Sequence, residues 1–264
     1  MNILVCVKRV PVTGGRISVT ADGQEIDTRF LGFTVSPHEE CAAEEAVRIV
    51  EKHGGTSTVL TLGPEVAIEQ LRDLLAIGVN RAVLLETDGR EWDATSTATA
   101  IVDLVRARAD AGEPFDLLLF GNEAADTGDF QVGIRVAMAL NLPCVVGAKA
   151  IEVRDGSIAV QRDAGGGREI YEVALPAVVA TKEGINLPRY PSVPGRLRAK
   201  KQEVERIEVA AGGAGEAGVG GPDPAKVALT VPVTDSTTAE ILGHGPEAAP
   251  RVVELLQKIG VLSR

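Results

Sequence analysis

The stretch of sequence that decides the fold is residues 116–140, which read DLLLFGNEAADTGDFQVGIRVAMAL. Residues 116–120 have the length and apolar composition of a buried strand, and residues 130–140 repeat apolar positions at helical spacing. The segment 121–133 holds three glycines, which permit close backbone approach, and the first N–H groups of a helix suit an anion. On spacing alone, an ordinary connection between strand and helix is the preferred interpretation, and a ligand-binding loop is the alternative.

Short apolar runs alternate with amphipathic segments throughout the first 140 residues. The predicted strands and helices are strands 3–7, 58–62, 82–86 and 116–120, and helices 37–52, 65–77, 94–109 and 130–140. This alternation indicates parallel strands joined by right-handed crossovers. Ser36 and Glu39 fit a capping box before the first helix, and Pro37 fits its first turn. The sequence therefore predicts an α/β fold with a doubly wound, mostly parallel, Rossmann-like sheet.

The pattern changes after Cys144. Four short runs separated by turn residues predict an antiparallel meander added to the edge of the sheet: 150–153, 158–161, 168–173 and 177–181. From residue 187 the chain is proline-rich, then basic, then of low complexity over 210–224, with a last helix at 247–259. We interpret residues 1–186 as the domain. Residues 187–264 are then an extended C-terminal arm that lies on a partner subunit.

Composition excludes several classes of function. The net charge of −10 argues against a nucleic-acid partner, because phosphate backbones require a basic surface. Aromatic residues make up only 3%, so the core must consist of Val, Leu, Ile and Ala. The three cysteines are too widely spaced for a zinc site and are expected to be reduced. The first residues lack the basic stretch and the cleavage site typical of a signal peptide, and no run reaches about 18 apolar residues, so we expect a cytoplasmic protein without membrane insertion.

Catalytic and metal-binding motifs are missing from the sequence. The three histidines are scattered, and neither a nucleophile–base pair nor a metal-ligand cluster is recognisable. The residues Gly213, Gly215 and Gly218 match the G-x-G-x-x-G pattern, but no predicted strand precedes them. We therefore interpret the match as a chance feature of the low-complexity segment. The sequence therefore favours a binding or carrier protein over a hydrolase.

Residues that follow the predicted parallel strands are where a ligand is expected, since doubly wound sheets bind ligands outside the carboxyl ends of their strands. These residues are 8–13, 63–64 and 121–133, with 36–39 at the start of the first helix. Asp126 and Asp129 would repel a phosphate unless they point away. Residues 182–192 place apolar side chains among turn formers, so this loop either caps the core or presents an anchor to a partner.

Several co-linear motifs resemble electron-transfer flavoprotein β subunits over about residues 1–205. The matching segments read ILVCVKRVP from residue 3, SP from 36, AEEAVR from 43, LGP from 62, AIGVNRA from 76, the loop 121–133, INLPRYPS from 185 and AKK from 199. The resemblance implies a heterodimer in which an α subunit carries most contacts to the redox FAD and this chain binds a structural AMP. Electrons would come from flavin dehydrogenases such as acyl-CoA dehydrogenase and pass to a quinone oxidoreductase or other acceptor.

The resemblance also assigns roles by position. The AMP pocket would be lined by Cys6, Ser36, Pro37, His38, Glu39, Leu62, Gly121, Asn122, Glu123, Asp126, Thr127, Gly128, Asp129, Phe130, Gln131, Val132, Gly133 and Ile134. Residues 8–13 would approach the flavin of the α subunit. The docking loop would consist of Ile185, Asn186, Leu187, Pro188, Arg189 and Tyr190, with Ile185 as the aliphatic anchor.

Three departures from the family pattern bear on these roles. Val12 replaces a common Asp, Ser36 replaces a common Asn, and Asp129 stands where many relatives have Thr. An added negative charge at 129 weakens the case for a phosphate contact. Two alternatives stay open. One is a bifurcating β subunit with a second FAD that reacts with NADH, and the other is a stand-alone adenine-nucleotide or stress-type domain.

Overall fold

The computed structural model describes residues 1–12, 14, 17–89, 91–209, 227–232 and 239–262. Its strands are β1 (Asn2–Val7), β2 (Arg9–Pro11), β3 (Phe33–Val35), β4 (Thr56–Gly63), β5 (Arg81–Glu86), β6 (Leu117–Gly121), β7 (Cys144–Arg154), β8 (Ser157–Ala164), β9 (Gly167–Ala174), β10 (Ala177–Thr181) and β11 (Glu205–Glu208). Its helices are α1 (Pro37–His53), α2 (Ile68–Ile77), α3 (Ala94–Asp110), α4 (Val132–Leu140), α5 (Val193–Lys201) and α6 (Ala249–Lys258). Thr13 and the low-complexity segment 210–224 lie outside the described residues.

Among the described residues, nine strands form one sheet in the order β11-β5-β4-β1-β6-β10-β7-β8-β9. The strands from β11 to β7 are paired in parallel, and β7, β8 and β9 are paired antiparallel. A separate antiparallel ribbon joins β2 to β3. The prediction of a doubly wound, mostly parallel sheet with added antiparallel strands is confirmed.

Two hydrophobic clusters cover the two faces of the sheet. Ile3, Val5 and Val7 point to one face, where α1 and α2 pack, and Leu4 and Cys6 point to the other, where α3 and α4 pack. Apart from Cys6 and Phe120, the buried members of both clusters are Val, Leu, Ile and Ala. This composition agrees with the scarcity of aromatic residues in the sequence.

The prediction for residues 177–181 was wrong in its placement. Instead of extending an antiparallel meander at the edge, β10 lies in the middle of the sheet and pairs in parallel with β6 and β7. All five of its residues are buried, as expected for a central strand that is covered on both faces. The antiparallel edge is therefore β7, β8 and β9 alone. β7 begins at Cys144 because its first half pairs with β10 and its second half with β8.

The chain beyond residue 186 returns to the sheet before it leaves again. Ser192 caps α5, which packs on α2 so closely that a Cβ on Gly195 would lie 2.3 Å from Ala76 O. β11 then extends the sheet beside β5. The predicted last helix is present as α6, and none of its residues is buried. The division of the chain at residue 186 stays a prediction.

Within the described residues, no helix is both long and apolar enough to span a bilayer. The same part of the chain contains no group of three or more His, Cys, Asp or Glu side chains that could hold a metal ion.

Candidate functional site at the carboxyl edge of the sheet

A cavity of about 420 Å³ opens at the carboxyl ends of the parallel strands. The ends of β1, β4 and β6 contribute to its walls, together with the first turns of α3 and α4. The chain leaves β1 through α1 towards β4 on one side and leaves β6 through α4 towards β7 on the other. Adjacent strands whose connections run in opposite directions form a switch point, which is where doubly wound sheets bind ligands.

A buried carboxyl group lies where β1 meets α1. Ser36 caps α1 as predicted, because its Oγ accepts a hydrogen bond from Glu39 N at 3.4 Å. Glu39 Oε2 accepts from Lys8 N at 2.9 Å. Burial raises the pKa of Glu39 to about 8, and the N–H groups of Lys8 and Ser36 lower it only in part. At pH 7 this carboxyl is therefore mostly protonated, and it adds little negative charge to the cavity.

Gly121 allows the end of β6 to approach this carboxyl group. A Cβ at position 121 would lie 2.6 Å from Glu39 Cγ and 3.3 Å from His38 Cβ, too close for a side chain. Gly133 has a similar role in α4, since a Cβ there would lie 3.1 Å from Phe120 Cγ. The close approach that the glycines of the 121–133 loop predict is thus observed at two of them.

The loop between β6 and α4 is held by its own hydrogen bonds. Ala124 N donates to Asp129 O at 2.9 Å, and Gly128 N donates to Ala124 O at 2.8 Å. Asp129 Oδ1 accepts from Gln131 N at 3.2 Å. These bonds keep residues 129–131 outside the helix, so that α4 begins at Val132 rather than at the predicted residue 130.

The two aspartates of the loop differ in their surroundings. Asp126 forms an ion pair with Lys8, with 2.9 Å between Oδ2 and Nζ, so its charge is matched by a lysine. Asp129 lines the cavity near the start of α4. The predicted repulsion of a phosphate is therefore removed at position 126 and retained at position 129.

The start of α4 faces the cavity through Val132, Gly133 and Ile134. The first helical hydrogen bond runs from Arg135 N to Gln131 O, and the side chain of the N-cap residue, Gln131, makes no capping hydrogen bond. The N–H groups of the first helical turn carry partial positive charge, which attracts an anion. Arg9, another lining residue, has an Nε atom that is buried without a hydrogen-bond partner among the described residues.

Cys6 lies on the cavity floor at the end of β1. Burial raises the pKa of its thiol well above the ordinary value, and the neighbouring Glu39 raises it further. A thiol in this environment stays protonated and unreactive. Cys6 therefore contributes shape rather than chemistry to the cavity.

Most of the residues predicted to form the pocket line this cavity. They are Cys6, Glu39, Leu62, Gly121, Asn122, Glu123, Thr127, Asp129, Phe130, Val132, Gly133 and Ile134. The remaining six do not line it and belong to the start of α1 and to the loop before α4: Ser36, Pro37, His38, Asp126, Gly128 and Gln131. Among these, Ser36 caps α1 and Asp126 neutralises Lys8, so both support the lining residues.

Sequence reasoning missed the wall that follows β5. Thr87, Gly89, Glu91, Trp92 and Asp93 line the cavity between β5 and α3. The signal was available, because β5 was predicted as a parallel strand and its carboxyl end must reach the same edge as the ends of β1, β4 and β6. The rule was applied to those three strands only.

The predicted docking loop, residues 185–190, is fixed to α1. Asn186 Nδ2 donates to Cys41 O at 3.0 Å and to Glu45 Oε2 at 2.9 Å. Ile185 is half-buried and packs against the core cluster on the α1 face. Its assignment as the docking anchor stays a prediction, although the core already covers part of its side chain.

Arg189 holds the other end of the docking loop. Its Nε donates to the buried Glu44 Oε2 at 2.9 Å, and its Nη1 donates to Glu51 Oε1 at 2.6 Å. Leu187, between Asn186 and Arg189, is 90% exposed, and Tyr190, directly after Arg189, is 97% exposed. The loop therefore presents two large apolar side chains to solvent from a fixed backbone.

The fold and the cavity define a doubly wound α/β protein with a ligand site at the switch point of its sheet. A family model described as "Electron transfer flavoprotein domain" matches residues 26–212. The electron transfer flavoprotein subunit beta of Bacillus subtilis is 36% identical over 211 residues, which cover 79% of each chain. The subunit beta of Thermoanaerobacterium thermosaccharolyticum is 33% identical over 270 residues, covering 99% of this chain and 100% of the relative. That of Mycobacterium leprae is 34% identical over 267 residues, covering 98% and 99%.

The chain belongs to the electron transfer flavoprotein family, and these relatives are named as its β subunits.

Proposed function

We propose that this chain is the β subunit of a heterodimeric electron-transfer flavoprotein and that it binds AMP in the cavity at the switch point. The observation that carries the proposal is the cavity that this chain forms at the ends of β1, β4 and β6. The family match supports a nucleotide as its ligand. An α subunit would hold FAD, which supplies the redox chemistry. Electrons would pass from a flavin dehydrogenase of the acyl-CoA dehydrogenase type to a quinone oxidoreductase or another acceptor.

The residues of the cavity fit a mononucleotide in three respects. The uncapped start of α4 offers N–H groups to a phosphate. Gly121 keeps a Cβ out of the space between β6 and Glu39, and the protonated Glu39 and the paired Asp126 add little repulsion. Asp129 opposes the fit, because its carboxylate lies near the start of α4.

Cavity size favours AMP over a second FAD. A volume of about 420 Å³ lies in the lower part of the roughly 300–1,000 Å³ range of small-molecule sites. FAD contains an AMP half and a flavin mononucleotide half, so it needs clearly more room than AMP. We therefore favour the AMP-binding β subunit over the bifurcating alternative, in which a second FAD would react with NADH.

Nucleotide content tests this choice. The chain is purified together with its partner subunit, the bound nucleotides are released by heat, and they are separated and counted. We expect one FAD and one AMP per heterodimer. Two FAD per heterodimer would support the bifurcating alternative and contradict the proposal. A lone chain that hydrolyses ATP would support the stand-alone adenine-nucleotide domain.

The part of this chain in electron transfer would be to bind and orient rather than to react. No acid, base or nucleophile is required of it when the redox group is a flavin of the partner. Residues 8–12 follow β1 at the cavity edge and would approach that flavin. The exposed apolar side of α6, which includes Val252, Val253 and Leu255, would pack on the α subunit.

Docking of the dehydrogenase would use the docking loop. Leu187 and Tyr190 are nearly fully exposed, whereas their neighbours Asn186 and Arg189 hold the loop to α1 by hydrogen bonds. A rigid loop with exposed apolar side chains loses little conformational entropy on binding. We expect L187S and Y190S to slow electron transfer from the dehydrogenase without changing nucleotide content. L197S alters an exposed leucine outside the loop and serves as the control.

A further inference from the structure

Aromatic side chains are concentrated in the cavity of a chain that has very few of them. The sequence holds one Trp, two Tyr and five Phe among 264 residues. Trp92, Phe120 and Phe130 line this cavity. Phe120 is a buried member of the core, so its position is explained by packing. Trp92 and Phe130 belong to neither hydrophobic cluster of the described chain, and the core therefore does not account for them.

Trp92 lies on a fixed part of the cavity wall. The next residue, Asp93, is the N-cap of α3, and its Oδ1 accepts from Ser96 N at 2.6 Å while its Oδ2 accepts from Ser96 Oγ at 2.9 Å. These bonds fix the backbone directly after Trp92. The indole is half-buried, with polar residues on both sides of it in the sequence. An aromatic ring in this setting offers a flat apolar face to whatever enters the cavity.

Trp92 and the start of α4 line the same cavity from the connections of different strands. α4 follows β6, and Trp92 follows β5, with β4 and β1 between these two strands. Neighbouring strands are about 4.8 Å apart, so three intervals separate the ends of β5 and β6 by roughly 14 Å. A nucleotide whose phosphate lies at the start of α4 and whose base lies on the β5 side of the cavity would meet Trp92.

We propose that Trp92 stacks on the base of the bound nucleotide and thereby makes the cavity bind a nucleoside phosphate more tightly than a simple sugar phosphate. This inference rests on the proposed nucleotide binding. Phe130 lies beside the start of α4, at the phosphate end, and so is not the stacking residue. Stacking on an aromatic side chain requires a flat π-system, which the base provides and the ribose does not.

The test uses the full-length chain, freed of bound nucleotide, with AMP and ribose 5-phosphate as probes. Ribose 5-phosphate keeps the sugar and phosphate of AMP and lacks the base. Because Trp92 is the sole tryptophan, its fluorescence reports directly on this position. We expect AMP to change the emission and ribose 5-phosphate to bind without changing it.

Variants measured by calorimetry complete the test. W92L is expected to weaken AMP binding by roughly 5- to 150-fold, the usual range for loss of one stacked aromatic, and to leave ribose 5-phosphate binding unchanged. W92F should restore most of the AMP affinity, and F130L should have a much smaller effect than W92L. If W92L binds AMP with wild-type affinity, or if AMP binding leaves the emission unchanged, the stacking role of Trp92 is contradicted and the proposed function is not affected. Failure of the wild-type chain to bind either probe would contradict the proposed function as well.

Discussion

Gly121 and Glu39 come from separate parts of the chain and meet where β6 ends and α1 begins. The contact needs a residue without a Cβ, because Glu39 Cγ occupies the space beside position 121. The glycine itself was recognisable from the sequence as a point of close approach. Its neighbour was not, since the contact depends on how α1 packs over the sheet.

Replacement of Gly121 by alanine tests this contact. The added Cβ would lie 2.6 Å from Glu39 Cγ, and we expect the free energy of unfolding to fall by roughly 1–3 kcal/mol, as in other overpacked sites. Gly63→Ala is the matched control, because Gly63 also ends a parallel strand and its Cβ would be 3.6 Å from Ala67 Cβ. The control should change stability by less than about 1 kcal/mol. If urea denaturation shows the same loss of unfolding free energy in both variants, the contact with Glu39 does not exclude a side chain at position 121.

The Glu39 carboxyl should make stability depend on pH. Its pKa is about 8 in the folded chain and near 4.5 when unfolded, so the folded state holds the proton more tightly. The contribution of Glu39 to stability should therefore be fully present below about pH 4.5 and fall as the pH rises from there to about 8, by at most about 1.4 kcal/mol per pH unit. Glu39→Gln is always neutral and should lose this part of the pH dependence.

The measurement is the free energy of unfolding of both proteins from pH 5 to 9. Glu51→Gln, in the same helix, is the control. Arg189 lowers the pKa of Glu51, so its effect should be constant over this range. Parallel profiles for the wild type and Glu39→Gln would contradict the buried, protonated state of Glu39.

Most elements of the parallel sheet could be predicted because each has its own signal. β1, β4, β5 and β6 are short apolar runs, and α1 has a capping serine and a first-turn proline. β10 was misplaced because it directly follows the antiparallel strands β8 and β9 in the sequence. Its parallel pairing arises because the chain comes back after β9 and inserts β10 between β6 and β7. α5 was missed because the proline-rich chain from residue 187 was interpreted as an extended arm. The Ser192 cap and the packing of Gly195 against α2 both support the helix at this position.

The docking loop depends on α1 for its conformation. Arg189 satisfies Glu44, whose side chain is only 4% exposed, and also pairs with Glu51. Arg189→Gln would leave a buried carboxylate without its main partner, which should reduce the free energy of unfolding by roughly 1–3 kcal/mol. Arg154 pairs with Glu152 and Glu172 on exposed strands, so Arg154→Gln should cost less than about 1 kcal/mol. Chemical denaturation of both variants measures this difference, and equal losses would show that Arg189 contributes no more than a surface ion pair.

At the scale of the whole molecule, the sequence predicted the class of fold and the edge of the sheet at which the cavity opens. It could not predict that α5 and β11 return to the sheet, because their contacts join residues far apart in the chain. It also missed Trp92 and its neighbours, which reach the cavity only once β5 takes its place beside β4. The apolar side chains left exposed on α6 and on the docking loop are surfaces that a partner would cover.

The central claim is that this chain provides a nucleotide site and does no redox chemistry by itself. The most direct test is to purify the full-length chain without any partner, add AMP and FAD separately, supply either a flavin dehydrogenase with its substrate or NADH as the electron donor, and measure binding and flavin reduction. We expect the chain to bind one AMP, to remain colourless and to support no flavin reduction by either donor until an α subunit is added. An isolated chain that holds its own FAD and accepts electrons on it from either donor without a second subunit would contradict the account.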